Sequence, residues 1–488
     1  MLSYMQPHNL LSPFSLILVT PVFIFCLRIL HRAYISRKQD IPGPFLASFS
    51  RLWYLRQVRK RNFQQTNIEL HKRYVQQSTA TRIDISYPKC IANLSIQSPW
   101  YYAAGHPHNR DLFTEQDSKI HATKRRKVAS LYSMTTLMHM EPCVRECTAI
   151  LEDRLRELAK SQNVFNLQHW LQCYAFDVIG LITVAKRFGF LDEGTDPHGL
   201  FPSLKSYLTY CADIGVYSEI HPLLWRLNSI FARGRGHLAS FATEQIQKRQ
   251  EALADVEQKP GIADDFLAKM FQKHYEDPEG FTKERIFMTC LTNIGAGSDT
   301  TSISLSAIFW YMLKSPKTFE RLRAEVDGVK KTITYQIALE MPYLQAVIKE
   351  ALRMHPATGL PLGRVVPKGG AMIAGKYLSE GCVVGVNTWV AHYDTAIFGE
   401  DAAMFNPERW LESEERTKRM DRMWLPFGSG SRTCIGKNIS LLEISLLVPE
   451  LVRKFDFELA NPEAELESEN IWFVRQENVN CRVRVRTE

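Results

Sequence analysis

The sequence predicts a mainly α-helical body with a small β region. Three observations carry this. From about residue 60 to 330, apolar residues recur at three- and four-residue spacing, as in Arg145 to Lys160, Phe165 to Val184 and Leu238 to Ala254; this is the period of one helix face. Thr282 to Lys314 forms one long candidate helix with Thr282 as N-cap. It is apolar on nearly all sides, so it runs through a core. Between Arg364 and Ala391 the pattern shortens to β-like runs at Met372-Ile373, Val383 to Val386 and Trp389-Val390, punctuated by glycines.

Composition narrows the function classes. The chain has 488 residues, 45% of them hydrophobic, enough for a large core. Lys+Arg total 60 against Asp+Glu 52, a net charge of +8. Such an excess marks a solvated surface, and no nucleic-acid footprint is expected. The cysteines are scattered, with no CxxC pair and one close pair, Cys143 and Cys147. That is neither a zinc-ribbon spacing nor a compact disulfide framework. Reduced thiols in a cytosol-facing body are expected.

Three segments follow from the start of the chain. Residues 1–30 read as a membrane anchor: Leu10 to Leu30 is the most apolar stretch and gives roughly 30 Å of helix, enough to cross a bilayer. A cleaved signal peptide would carry a positive n-region, yet Met1 to Asn9 has no Lys or Arg. The positives, Arg28, Arg32, Arg37 and Lys38, come afterwards, which keeps the body cytosolic. Residues 31–44 form a basic, proline-rich hinge ending in Ile41-Pro42-Gly43-Pro44, too proline-rich to continue a helix. Residues 45–488 form one body, with short strands expected at Arg82 to Ile85 and Cys90 to Ala92.

Three features inside the body carry chemistry. Midway along the long helix lies Gly295-Ala296-Gly297-Ser298-Asp299-Thr300-Thr301, a run of poor helix formers that is either a functional distortion or a packing glycine with a kink. Pro342 to Met354 is a helix with proline in its first turn, and Glu350 and Arg353 share one of its faces. Near the end, Phe427-Gly428-Ser429-Gly430-Ser431-Arg432-Thr433-Cys434-Ile435-Gly436 is a glycine-rich loop running into a helix whose apolar face holds Ile435, Ile439, Leu442 and Leu446. Cys434 thus lies at a helix N-terminus, where N–H groups favour a thiolate. That thiolate could be a metal ligand or a nucleophile.

These motifs together resemble the cytochrome P-450 haem-thiolate family. Phe427, Gly430, Arg432, Cys434 and Gly436 fit its FxxGxRxCxG signature, Ala296 to Thr301 its oxygen-activation motif, Glu350 to Arg353 its ExxR motif, and Phe405-Asn406-Pro407-Glu408-Arg409-Trp410 its PERF/W motif, all in the family's order. The run from Lys127 to Met134, Met140-Glu141-Pro142 and Gly359 to Gly370 resemble fungal members related to pisatin demethylase.

The resemblance implies the cytochrome P-450 fold and a haem b cofactor with Cys434 as axial iron ligand. It implies that Thr300 and Asp299 handle oxygen and protons, and that Glu350, Arg353 and Arg409 form a buried structural triad. Arg432, Arg125 and Arg364 would hold the haem propionates. His121 stands where the family's WxxxR motif has tryptophan, and its ring can still donate to a propionate. The implied reaction inserts one oxygen atom from O2 into a small, largely apolar molecule, as a tailoring step in fungal secondary metabolism. Electrons would come from NADPH through NADPH–cytochrome P-450 reductase, with cytochrome b5 a further candidate partner, at the endoplasmic reticulum membrane. Lys124, Arg126, Lys127 and Lys437 would face the reductase. Pocket walls are expected from residues 95–118 and 200–225, Asn293 and Ala296, Ala357 to Leu362 and Ile471 to Phe473.

Other readings fit less well. A P-loop fails because five residues separate Gly430 from Gly436 and Asn438 replaces Ser or Thr after Lys437. A cysteine nucleophile needs a paired histidine, and no nearby motif marks one. A haem-thiolate isomerase or dehydratase, or a non-catalytic haem-binding protein, need not keep the Asp299-Thr300 pair.

Overall fold

The computed structural model describes residues 42–74, 94, 96–227, 233–254 and 265–487, together with Ile24 and Leu27. Apart from those two residues the expected anchor lies outside the described residues, as do the strands expected at Arg82 to Ile85 and Cys90 to Ala92 and the hinge up to residue 41. Among the described residues no helix is long and apolar enough to cross a membrane.

The helices that position the site are α1 (Ser118–Val128), α2 (Glu141–Ser161), α3 (Leu167–Val184), α4 (Leu200–Ile214), α5 (Lys283–Leu313), α6 (Pro342–Met354) and α7 (Lys437–Lys454). The strands are β1 (Phe165–Asn166), β2 (Arg364–Val365), β3 (Ala371–Ile373), β4 (Lys376–Leu378), β5 (Val383–Val384), β6 (Phe455–Leu459), β7 (Ser468–Ile471), β8 (Phe473–Gln476) and β9 (Asn480–Val485). The structure thus bears out a mainly helical body with small sheets.

The long helix α5 is the spine of the core. The Thr282 side chain accepts from the Arg285 N–H at 3.3 Å and caps its start. Its polar middle does not break it. Hydroxyls in and around the weak stretch donate back to carbonyls one turn earlier: Ser298 to Ile294 O at 2.9 Å, Thr300 to Ala296 O at 2.7 Å, Ser304 to Thr300 O at 2.9 Å. Each hydroxyl is thereby satisfied without leaving the helix. Gly297 is a packing glycine: a Cβ there would approach the Ile179 side chain on α3 to 2.9 Å. On another side, the Thr301 hydroxyl meets the Ser440 hydroxyl of α7 at 2.6 Å, which sets the register between spine and cysteine helix.

Two expectations change. Trp389-Val390 is helical, within Thr388–His392; the Asn387 side chain accepts from the Trp389 N–H at 3.0 Å and starts a short helix where β-propensity suggested a strand. The β structure also extends beyond 364–391. β6 pairs with β9, and β9 with β1, in an antiparallel sheet, while β7 and β8 form a hairpin. In β6, Phe455, Phe457 and Leu459 point inward and alternate with polar residues, the two-residue period of a half-buried strand.

Gly297→Val should overpack the α3–α5 contact and cost about 1–3 kcal/mol, measured by denaturant unfolding. An unchanged midpoint would mean that Ile179 yields freely.

Candidate active site

The loop before α7 shapes the site. Gly428 and Gly430 have φ of 70° and 73°, the left-handed region where a side chain is strained. The resulting turns bring the Cys434 N–H onto the Phe427 carbonyl at 2.8 Å and the Thr433 N–H onto Gly430 at 3.1 Å. Cys434 is exposed, yet protein crowds its sulfur closely enough to desolvate it; the two facts together describe the wall of a deep cleft. Gly436 has an ordinary φ of −82°. What it provides is space, because a Cβ there would stand 3.9 Å from the sulfur.

Burial pushes the Cys434 thiol above its usual value, although the N–H groups of Gly436 and Lys437 and the Arg125 charge pull the other way. The helix terminus therefore does not outweigh desolvation. A cation beside the sulfur would favour the thiolate that a metal ligand needs. Among the described residues no group of three or more His, Cys, Asp or Glu is arranged to hold a metal ion.

Beside the cysteine, positive charge gathers. Arg125 on α1 donates to Thr433 O at 2.9 Å, and Arg432 to Glu115 O at 2.7 Å. Arg364 on β2 donates to the Tyr101 hydroxyl at 3.0 Å, and its Nε is buried without a hydrogen-bond partner. Burial, then the neighbouring Arg364, lowers Arg432 to about 10. Burial, then Arg432 and Arg125, lowers His121 to about 4, so this ring is neutral. Cations crowded until they weaken one another suit a dianionic partner. The cysteine, the space beside it and this cradle fit a haem with two propionates, and all four predicted propionate residues lie in the cradle.

The facing wall belongs to α5. Ala296 is exposed and Thr300 half-buried on one face of this helix, between the buried Asn293 and Ile294 and the buried run from Thr301 to Trp310. The Thr300 hydroxyl donates to Ala296 O, so its lone pairs are what it can offer in the cleft. Asp299 is 1% exposed and turned elsewhere. Gln172 on α3 donates to its Oδ1 at 2.6 Å, and Arg475 on β8 lies 3.5 Å from its Oδ2. Neither Gln172 nor Arg475 had a signal in the sequence, because both act across long chain separations.

An aromatic wall joins two of the expected pocket segments. Trp472, at the β7–β8 tip, stacks on Phe113 at 5.3 Å and meets Trp100 edge-on at 4.8 Å; Tyr101 lies 5.0 Å from Phe113. Trp472 has φ of 93°, a strained value held by its N–H on the Asn470 side chain and its carbonyl on the Gly359 N–H.

Beneath the cysteine loop lies a buried ionic cluster. Glu350, Arg353 and Arg409 are each 0% exposed. Arg353 grips both oxygens of Glu350, at 2.7 and 2.9 Å, and Arg409 adds a bond at 3.0 Å. The Trp410 indole and the Asn406 N–H donate to the same carboxylate, and Asp401 pairs with Arg409. His392 connects this cluster to the loop: its Nδ1 bonds Arg353 O at 2.9 Å, and its Nε2 accepts from the Leu425 N–H at 2.8 Å. Burial, then the Arg353 charge, lowers His392 to about 3. Of the four expected docking cations, Lys124 is paired with Glu115 at 2.8 Å and Lys127 with Asp277 at 3.5 Å, whereas Arg126 is exposed.

Comparison with known proteins identifies the family. The cytochrome P-450 family model matches residues 44–480. Pisatin demethylase of Fusarium vanettenii is 36% identical over 480 residues, covering 95% of this chain and 92% of that protein. The cytochrome P-450 monooxygenases cicH of Emericella nidulans and gsfF of Penicillium aethiopicum are each 33% identical, covering 97% and 95% of this chain and the same shares of their own lengths. The chain therefore belongs to the cytochrome P-450 family of monooxygenases. Membership implies a haem-thiolate cofactor, dioxygen and a reductase as electron source.

Arg409→Ala should strand buried charge and cost about 3–5 kcal/mol, read by thermal unfolding; a loss below 1 kcal/mol would show that water repairs the gap. Acid should also destabilise the fold. His392 and His355 stay neutral when folded, down to about 3 and about 4, while the unfolded rings protonate below about 6.5. Stability is therefore full above pH 6.5 and falls as pH drops from there towards 4. Unfolding curves across that window should show a shallower slope in His392→Asn.

Proposed function

We propose that this protein inserts one oxygen atom from O2 into a small, largely apolar, flat organic molecule in fungal secondary metabolism, using haem b and NADPH-derived electrons. The observation that carries this is the α5 wall: Thr300 borders the cleft and Asp299 adjoins it on the same helix. An isomerase or a non-catalytic haem carrier need not keep such an acid–hydroxyl pair.

When bound, the haem supplies an iron centre that activates dioxygen, with electron density from the Cys434 thiolate favouring O–O cleavage. Arg125, Arg432, Arg364 and His121 would hold its carboxylates. Thr300, its proton committed to Ala296 O, accepts a hydrogen bond from a protonated species in the cleft. Asp299 passes protons inward. Trp472, Phe113 and Trp100 exclude water and orient a planar ring, since aromatic pairs favour stacked and edge-on contacts.

The electron donor we infer is NADPH–cytochrome P-450 reductase, docked through Arg126 and Lys437, with cytochrome b5 as a second donor to assay. We also infer a single-pass anchor over residues 1–30 in the endoplasmic reticulum membrane, with the body cytosolic. Exposed Phe45, Leu46 and Leu52, just after the hinge, and Leu223 and Leu227 support a lipid-facing side.

The test is to incubate membranes carrying the protein with NADPH and a panel of aromatic fungal and plant metabolites, pisatin among them, since that is the compound named for one relative. Products should gain one oxygen or lose a methyl group. Product masses unchanged from substrate, with rearranged skeletons, would favour isomerisation. On a substrate that turns over, Thr300→Ala should keep consuming NADPH while releasing peroxide. Full coupling would remove Thr300 from the chemistry.

A further inference from the structure

A buried amide sits on the side of α5 that borders the cleft. Asn293, Ala296 and Thr300 follow one another at i, i+3 and i+7, so they share that side. The residues between the ends are small. A Cβ at Gly295 would touch nothing within 4 Å, and Ala296 is exposed. The helix therefore presents a shallow trough, about 10 Å long from Asn293 to Thr300 at the helical rise. Thr300 stands at one end. Asn293, only 8% exposed, lies at the inner end.

The Asn293 amide is held on one side only. The Tyr132 hydroxyl donates to its Oδ1, while its Nδ2 is buried without a hydrogen-bond partner. Tyr132 sets this orientation. Its carbonyl accepts from Asn438 Nδ2 in the first turn of α7 at 3.1 Å, and its ring meets Phe266 edge-on at 5.4 Å. Burial raises the Tyr132 hydroxyl, so it keeps its proton. A turned amide would set N–H against that hydroxyl and leave its proton without the Oδ1 acceptor. The free donor is thus fixed, and leaving it unpaired carries a cost that an arriving acceptor removes.

We propose that Asn293 is a specificity-determining residue whose Nδ2 donates to a carbonyl, ether or hydroxyl oxygen of the substrate, with Tyr132 as the positioning residue that aims it. This role rests on the oxygenase reading and narrows its substrate class. The substrate is a flat apolar skeleton with an oxygen function at one end, oxidised at the end near Thr300. A haem offers acceptors on its carboxylates, which the Arg125, Arg432 and Arg364 cradle takes, so Nδ2 is left for the substrate. A hydrocarbon of the same shape would bury that donor unpaired and bind more weakly.

The test titrates the purified holoenzyme, without NADPH or reductase, with acetylnaphthalene and with isopropenylnaphthalene substituted at the same ring position. These differ only in a carbonyl oxygen replaced by methylene, and the change in the haem absorption band gives Kd. Acetylbiphenyl and isopropenylbiphenyl repeat the comparison on a longer skeleton. The ketone should bind about 10- to 100-fold tighter in the wild type. Asn293→Leu should bring the ratio close to one while the hydrocarbon binds at least as well as before, a change that lost packing alone would not produce. Tyr132→Phe, which frees the amide to turn, should fall between. The wild-type ratio needs no variant, so it decides even if the substitutions prevent folding. Equal affinities within both pairs, or no binding of any of these compounds, would overturn the proposal, as would a ratio unchanged in Asn293→Leu. A ketone that binds selectively yet yields no oxygenated product with NADPH and reductase would instead overturn the oxygenase reading and leave the Asn293 contact standing.

Discussion

Glu350 is a carboxylate shielded from solvent, held between two guanidinium groups that are equally buried. Much of the site's order depends on this arrangement. A buried ion of either sign is tolerable only when its partners are in place, so Glu350 fixes where α6 and the segment around Arg409 must lie. Arg353 spends its remaining donors on His392 O, Ala402 O and Met404 O, and His392 reaches the Leu425 N–H. Leu425 begins the turn that ends at Cys434. The position of the sulfur is thus inherited from an ion cluster that never touches the reaction.

The cleft follows from two opposed demands on charge. On the cysteine side, Arg125, Arg432 and Arg364 are brought together closely enough to disfavour one another, a cost that a dianion offsets when it binds. On the α5 side, Asp299 is buried against Arg475 and Gln172, and only the Thr300 hydroxyl and small Ala296 border the opening. A bound haem would meet these cations with its carboxylates, while Thr300 and Ala296 on α5 bring little charge. Lining one side with Trp472, Phe113 and Trp100 suits a flat apolar guest.

The parts of this site that were legible in the sequence are the local ones. The Cys434 loop shows through its glycines, Glu350 and Arg353 through their i, i+3 spacing, and α5 through its length and cap. What was hidden depends on contacts between distant segments. Gln172 and Arg475 lie far from Asp299 in the chain and have unremarkable neighbours. His392 closely follows the run at Trp389-Val390 that reads as a strand by propensity, although Asn387 before it was an available helix-start signal. The sheet of β6 and β9 was also within reach, since Phe455, Phe457 and Leu459 alternate plainly; the helix preceding them masked the change of period. The helix N-terminus at Cys434 was legible too, whereas the burial that opposes it depends on how distant segments pack around the sulfur.

The central claim is that Cys434 ligates a haem iron as thiolate, opposite the α5 wall. The most direct measurement is the carbon monoxide difference spectrum of the reduced protein, wild type beside Cys434→His. The account predicts the long-wavelength Soret band of thiolate ligation in the wild type and its loss in the variant. A wild-type band at the shorter wavelength of histidine-ligated haem, or a band unchanged by the substitution, would contradict it.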